Sequence, residues 1–394
     1  MVRISLFIYL LFSTFSVMGF FLPLYLQSKG LTSGQIGSII ALGAFASIFG
    51  QPFWGYVSDK KKTIKRIVQM SLISSFLLSI GLFSSEKFHL IMLFYAMFIF
   101  FNCSAGPLTE TLCLSYAYQN NKDFGRMRLW GEVGVGTASL FLGIIIDHIG
   151  INYLSVIYLV MLCITIAATT LVRDTKASTA SVNIAVLKQI FTQPKLLWFL
   201  LMILLIAIPH RMNDTMLAIY LIQLGASKTQ LGLAWLVATL STIPALLFVG
   251  KLIKKWNELG IFVIAAFVYT LRWIIYSQAD SPSVLIISQL LHSLTFPLLL
   301  VASLQYILNI VPSEFRATGQ AAFSVTFGGI AGIIGNAAGG YIFEKLGSHT
   351  TYGVGSIFAL IGTFAAIATY VIDKRSHKNA VISSKNQTHG THIR

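Results

Sequence analysis

The sequence predicts an all-α integral membrane protein of twelve transmembrane helices, arranged as two pseudo-symmetric six-helix bundles. Of 394 residues, 56% are hydrophobic and only 10% are charged, against roughly 25% charged in soluble domains. Runs such as Ser5 to Leu26, Gln35 to Val57 and Tyr352 to Ile372 reach the ~20 apolar residues that an α-helix needs to cross ~30 Å of hydrocarbon. Six runs precede a long polar connection and six follow it.

In chain order the predicted spans are 5–26, 35–57, 67–83, 90–117, 127–147 and 153–172, then 196–222, 231–250, 261–279, 284–310, 319–344 and 352–372. The first is too long for a signal-peptide apolar region of about 7–15 residues, and Pro23-Leu24-Tyr25-Leu26 offers no small-residue cleavage site. The chain divides into an N-terminal bundle (1–172), a cytoplasmic linker (173–195), a C-terminal bundle (196–373) and a cytoplasmic tail (374–394). Asp174, Lys176, Ser178, Thr179, Ser181 and Asn183 make the linker polar. The tail is polar enough to be predicted disordered.

A gapless repeat supports the two halves. Tyr25-Leu26 matches Tyr220-Leu221, and Gly30 to Gly37 (GLTSGQIG) matches Gly225 to Gly232 (GASKTQLG). A second echo pairs Leu142 to Gly150 with Gly339 to Gly347. Two similar halves in the same orientation imply a pseudo-two-fold axis along the membrane normal and a cavity between them near the midplane.

The net charge of +15 invites a nucleic-acid reading, but the charges sit in short loops between spans. With the N-terminus inside, about 22 Lys and Arg fall on the inner side against about four outside, which is the positive-inside pattern. Both termini are therefore expected in the cytoplasm of a bacterial cell. Lys60-Lys61-Lys62, Lys65-Arg66, Lys251 and Lys254-Lys255 set orientation and meet anionic lipid headgroups. Cys103, Cys113 and Cys163 all lie in apolar runs and read as packing residues rather than a disulfide or metal set.

A charge at membrane depth costs at least ~2.5–3.5 kcal/mol, so each intramembrane ionisable group is a candidate functional residue. In the first half these are Glu110, Arg128 and Glu132; in the second, Arg211, Asp214, Arg272 and His292. Arg128 and Glu132 share a helix face, and Glu110 comes within reach from the neighbouring helix. Two carboxylates then compete for one guanidinium, which makes the less compensated one a candidate proton acceptor. The plainer alternative has Arg128 as a positive-inside residue with Glu132 as its surface partner. Asp214 follows Arg211 by three residues, so the two can neutralise each other within one helix. His292 is the side chain whose charge changes near neutral pH unaided; as a lone histidine it is equally a packing residue.

Several segments resemble the major facilitator superfamily, specifically the branch of lactose permease and the phenylpropionate permease-like proton symporters. Gly55-Tyr-Val-Ser-Asp59-Lys60-Lys61 is similar to the Gly-x-x-x-Asp-Arg/Lys loop after helix two, and Phe124-Gly-Arg126-Met-Arg128-Leu-Trp-Gly131 to the entry into helix five. Leu291-His292-Ser-Leu-Thr295-Phe-Pro297 resembles the helix-ten segment. The resemblance implies a gating role for Gly55, Asp59 and Lys60 and a substrate-binding role for Glu110, Arg128 and His292. It also implies coupling for Arg272 and a place in a charge network for Asp214. The chain departs from the pattern at Thr295, where the proton-carrying glutamate stands, at Gln289, where a lysine partners the aspartate, and at Val135, where a tryptophan stacks on sugar. Proton coupling is therefore assigned to Glu132, with Asp214 second.

The expected function is symport of a small organic solute, a sugar, nucleoside or aromatic acid, with the proton as coupling ion and no cofactor, by a monomer. The alternatives are a proton-coupled exporter of sugars or drugs and a non-transporting membrane sensor. An enzyme is not expected, because the sequence has no nucleophile–base or metal-ligand spacing, Walker-type loop or Gly-x-Ser-x-Gly.

Overall fold

A computed structural model describes residues 1–174, 193–312 and 315–390; most of the predicted linker and the last four residues of the predicted tail lie outside the described residues. Ten apolar helices are long enough to cross a membrane among them. Two of these are broken by a residue with non-helical backbone, Asn257 and Gly347, which brings the spans to twelve. They are α1 Val2–Ser28, α2 Ser33–Lys61, α3 Lys65–Ser84, α4 Phe88–Gln119, α5 Phe124–Ile149 and α6 Ile151–Leu171 in the first half. The second half has α7 Pro194–Gln223, then Lys228–Ser277 divided into α8 (228–256) and α9 (258–277), α10 Pro282–Ile310, and Thr318–Arg375 divided into α11 (318–346) and α12 (348–375).

The helices overrun their predicted ends, and this relocates some residues. Gly55, Asp59 and Lys60 are not in a loop but in the last turns of α2, because nothing breaks the helix before Lys62 turns left-handed at φ 54°. Lys251, Lys254 and Lys255 likewise ride on the end of α8. Helical backbone also continues to Gly390, across the segment predicted disordered, since adding residues to an existing helix avoids the cost of nucleation.

Two spans are interrupted where proline requires it. In α4 the helix lapses at Cys103–Ser104, the position whose carbonyl the ring of Pro107 displaces. In α10 the stretch Gln289–Leu294 is 3-10 and Thr295 is non-helical, because Pro297 has no N–H to donate to the Ser293 carbonyl and its ring crowds that carbonyl. His292 therefore sits in a break rather than in a regular helix.

The repeats detected in sequence are turn and cap chemistry. Gly30 and Gly225 both take φ +86°, and the following Thr32 and Ser227 form capping boxes with Gln35 and Gln230 at the starts of α2 and α8. The second echo places an acid three residues before a left-handed glycine, Asp147 before Gly150 and Glu344 before Gly347.

These echoes meet across the two halves, at the end opposite the basic loops. Asp147 on α5 accepts hydrogen bonds from the Lys228 and Thr229 amides of α8, at 3.0 and 2.8 Å. Glu344 on α11 accepts one from the Gly34 amide of α2, at 3.0 Å. Here α5 packs on α8 and α2 on α11 at backbone distance: a Cβ on Gly143 would lie 2.2 Å from the Lys228 carbonyl oxygen, and one on Gly37 2.2 Å from that of Asn336. Towards the basic loops no such approach holds at the matching glycines, Gly55 and Gly250, which have open space where a Cβ would stand.

Valine at Gly143 is accordingly expected to force α5 from α8, at about 1–3 kcal/mol for overpacking, and to open the far end. With Cys113 and Cys163 replaced by Ser, a membrane-impermeant thiol reagent added outside cells would then alkylate Cys103, a cavity residue, faster than in the parent. Unchanged labelling would show that the helix contact does not seal the cavity.

Candidate functional site

A cavity of about 700 Å³ lies between the halves and is lined from both. Four helices of the first half supply Phe12, Phe20, Gln51, Cys103 and Glu132 among others, and the second half supplies His210, Arg211, Asp214, Trp235 and His292 among others. The pseudo-equivalent helices α1 and α7 are largely enclosed, at 67% and 61% buried.

The charged triad foreseen in the first half is assembled. Arg128 donates through Nε to Glu110 Oε1 at 2.5 Å and through Nη1 to Glu132 Oε1 at 3.1 Å, and its guanidinium lies 4.6 Å from the Phe12 ring centroid. Only Glu132 of the three lines the cavity; Glu110 and Arg128 reach it through Glu132 and Phe12.

In the second half, Arg211 donates through Nη1 to Asp214 at 3.2 Å and through Nε to the Phe327 carbonyl at 3.1 Å. That carbonyl belongs to a π-helical turn, Val325–Ile330, in α11. Arg272 is fully buried, and its ligands are neutral. It donates to His292 Nδ1 and Tyr276 Oη, each at 3.1 Å, and to Gln289 Oε1. No carboxylate comes within ion-pair distance of it among the described residues. Because a guanidinium only donates, His292 accepts at Nδ1 and keeps its proton on Nε2, a donor at the cavity wall. Asp214 and Arg272, grouped together from sequence, are thus held in separate contacts, and Gln289 binds Arg272 rather than Asp214.

Sequence reading passed over three features. His210, one turn before Asp214, is buried with Nε2 3.9 Å from that carboxylate and Nδ1 3.1 Å from the Tyr269 hydroxyl; a histidine at the i−4 position in an apolar helix was the available signal. Thr215 donates to Asn336 Oδ1 at 2.6 Å, joining α7 to α11. Phe20 of α1 and Trp235 of α8 stack face to face, centroids 3.7 Å apart and planes at 5°, about two turns in from the far ends of their helices. Gly55, Asp59 and Lys60 lie outside the cavity, and the Asp59 side chain makes no hydrogen bond or ion pair among the described residues.

The profile of the MFS_1 like family matches residues 1–354. The chain belongs to that family. It is an all-helical, multi-pass membrane transporter of the major facilitator type and not an enzyme. The chain is 24% identical over 365 residues to the maltose permease of Geobacillus stearothermophilus, covering 92% of both chains. It is 24% identical over 366 residues to the probable 3-phenylpropionic acid transporter of Escherichia coli (strain K12), covering 90% of this chain and 94% of that one. The crystal structure of nucleoside transporter NupG superposes with a TM-score of 0.83 at 14% identity, over 94% of this chain and 98% of that one; at that identity the likeness concerns the fold.

Proposed function

We propose that this transporter moves a small organic solute together with a proton across a bacterial cell membrane by alternating access, acting as a monomer. One observation carries the reading: a cavity lined by charged groups from both halves, sealed at the end opposite the basic loops, with open space beside Gly55 and Gly250 at the other. With the basic loops and both termini in the cytoplasm and the basic helix ends on anionic headgroups, this is an inward-facing carrier. Rocking of the halves closes the inner end, where Gly55, Asp59 and Lys60 of α2 act as the gating segment. Sugars, nucleosides and aromatic acids are the solute classes named by the relatives. Glu132, facing the cavity and sharing Arg128 with Glu110, is the first coupling group and Asp214 the second; Glu110, Arg128 and His292 hold the solute, directly or through Glu132, and Arg272 serves coupling by fixing His292.

The test is solute-driven pH change in lightly buffered, non-energised cells. A solute that alkalinises the medium on addition supports symport, with import as the direction. If no solute carries protons inward and preloaded solutes leave against a gradient when protons enter, the direction is export.

A further inference from the structure

Within that reading of the cavity, we infer that Phe20 and Trp235 form a platform that selects solutes carrying a planar aromatic or heteroaromatic ring. The two rings come from different halves and both line the cavity. Their spacing of 3.7 Å is that of one flat ring lying on another. Phe20 stands in the π-helical turn Val17–Phe21, a costly local geometry that recurs where a helix must re-aim a side chain at a functional site. Beside it, Gly19 lines the cavity with open space where a Cβ would be, so the wall next to the platform is bare backbone with room for a ring. Trp235 is 5% exposed, and its indole N–H is buried with no partner, a donor left over for a ring heteroatom or carbonyl once the halves move.

The polar lining argues in the same direction. A saccharide needs an unpaired partner for most of its hydroxyls, because each one buried without a hydrogen bond costs affinity. Here several polar side chains are occupied with the protein itself: Thr215 with Asn336, Thr239 with the Trp235 carbonyl, Arg211 with Asp214 and the Phe327 carbonyl. On α5 the wall is Val135, followed by Gly136 packed against Thr239, neither of which offers a side-chain hydrogen bond. Aromatic rings thus make up a large share of what the wall offers a solute, and stacking on an aromatic face accepts any flat ring.

The experiment uses the full chain in proteoliposomes with an imposed pH gradient and four labelled probes: uridine, phenylacetate, maltose and methyl-β-galactoside. Uridine and phenylacetate separate a nucleobase from an aryl acid as the source of the ring. Wild type is expected to move one of these two, with KM raised about tenfold or more in Phe20→Leu, as loss of one stacking face implies, and restored in Phe20→Tyr. Trp235→Phe keeps a ring face and loses the donor, so it should raise KM less than Phe20→Leu. Thermal midpoints of the variants identify any that fail to fold. If maltose or the galactoside is moved and Phe20→Leu leaves its KM unchanged, the platform is overturned while transport stands. If none of the four moves in either gradient, the proton-coupled transport proposed above falls and the platform with it.

Discussion

Replacing Glu132 by Gln is expected to leave solute binding within about threefold of wild type and to abolish the proton movement that accompanies it. The amide keeps the shape of the side chain and still accepts from Arg128 Nη1, so the contact at 3.1 Å survives while the ability to take up and release a proton does not. Arg128 is held more tightly by Glu110, at 2.5 Å, so the guanidinium remains compensated when Glu132 is neutral. A coupling group needs this arrangement, with both protonation states tolerated by the surroundings and access to the cavity that alternates between the two sides of the membrane. In the variant, exchange of labelled for unlabelled solute should persist and alkalinisation of the medium should vanish. Glu110→Gln should instead weaken binding, because the tighter of the two Arg128 ion pairs is lost. A Glu132→Gln protein that still carries one proton per solute would transfer the coupling role to Asp214.

Arg272→Met is expected to slow solute exchange by roughly tenfold or more while changing thermal stability little. The arginine is fully buried with only neutral ligands, a costly state for a cation at membrane depth, so its removal relieves one penalty. It also leaves Gln289 Oε1 and the Tyr276 hydroxyl without their donor, which restores a penalty of about 1–3 kcal/mol for each group left unsatisfied. The functional loss has two sources. His292 is no longer fixed with its proton on Nε2, and the charge balance between the halves fails. The first half holds Glu110 and Glu132 against Arg128, and the second holds Arg211 and Arg272 against Asp214, so the surpluses are opposite and equal. Adding Glu132→Gln to Arg272→Met removes the negative surplus and should recover part of the exchange, though none of the coupling. Full exchange in the single variant would mean that Arg272 is a packing residue.

The parts of this site that were legible in the sequence are those written in charge and spacing. A carboxylate four residues from an arginine in an apolar segment can be read directly, and so can a glycine, a hydroxyl residue and a glutamine repeated in register; the structure turns the first into the Arg128 triad and the second into paired capping boxes. The Phe20–Trp235 stack was illegible for a physical reason. In helices apolar on every side, one phenylalanine looks like the next, and only the packing of α1 against the opposite half selects which of them meets an indole. His210 stands four residues before Asp214, a spacing open to reading, but its contact with Tyr269 comes from another helix and leaves no mark in the sequence. Asp59 and Lys60 were misplaced by a few residues, since hydropathy marks where lipid ends and not where a helix does.

At the mouth opposite the basic loops, each half completes a helix terminus belonging to the other. The first amides of α2 and α8 have no partner within their own helices, and the carboxylates that satisfy some of them, Glu344 and Asp147, come from across the axis. Parting the mouth at one seam therefore exposes donors at both, because two rigid bundles related by one axis do not separate along a single edge. The mouth should behave as a two-position latch with no half-open resting state, and the two seams would set the height of a single barrier between its positions.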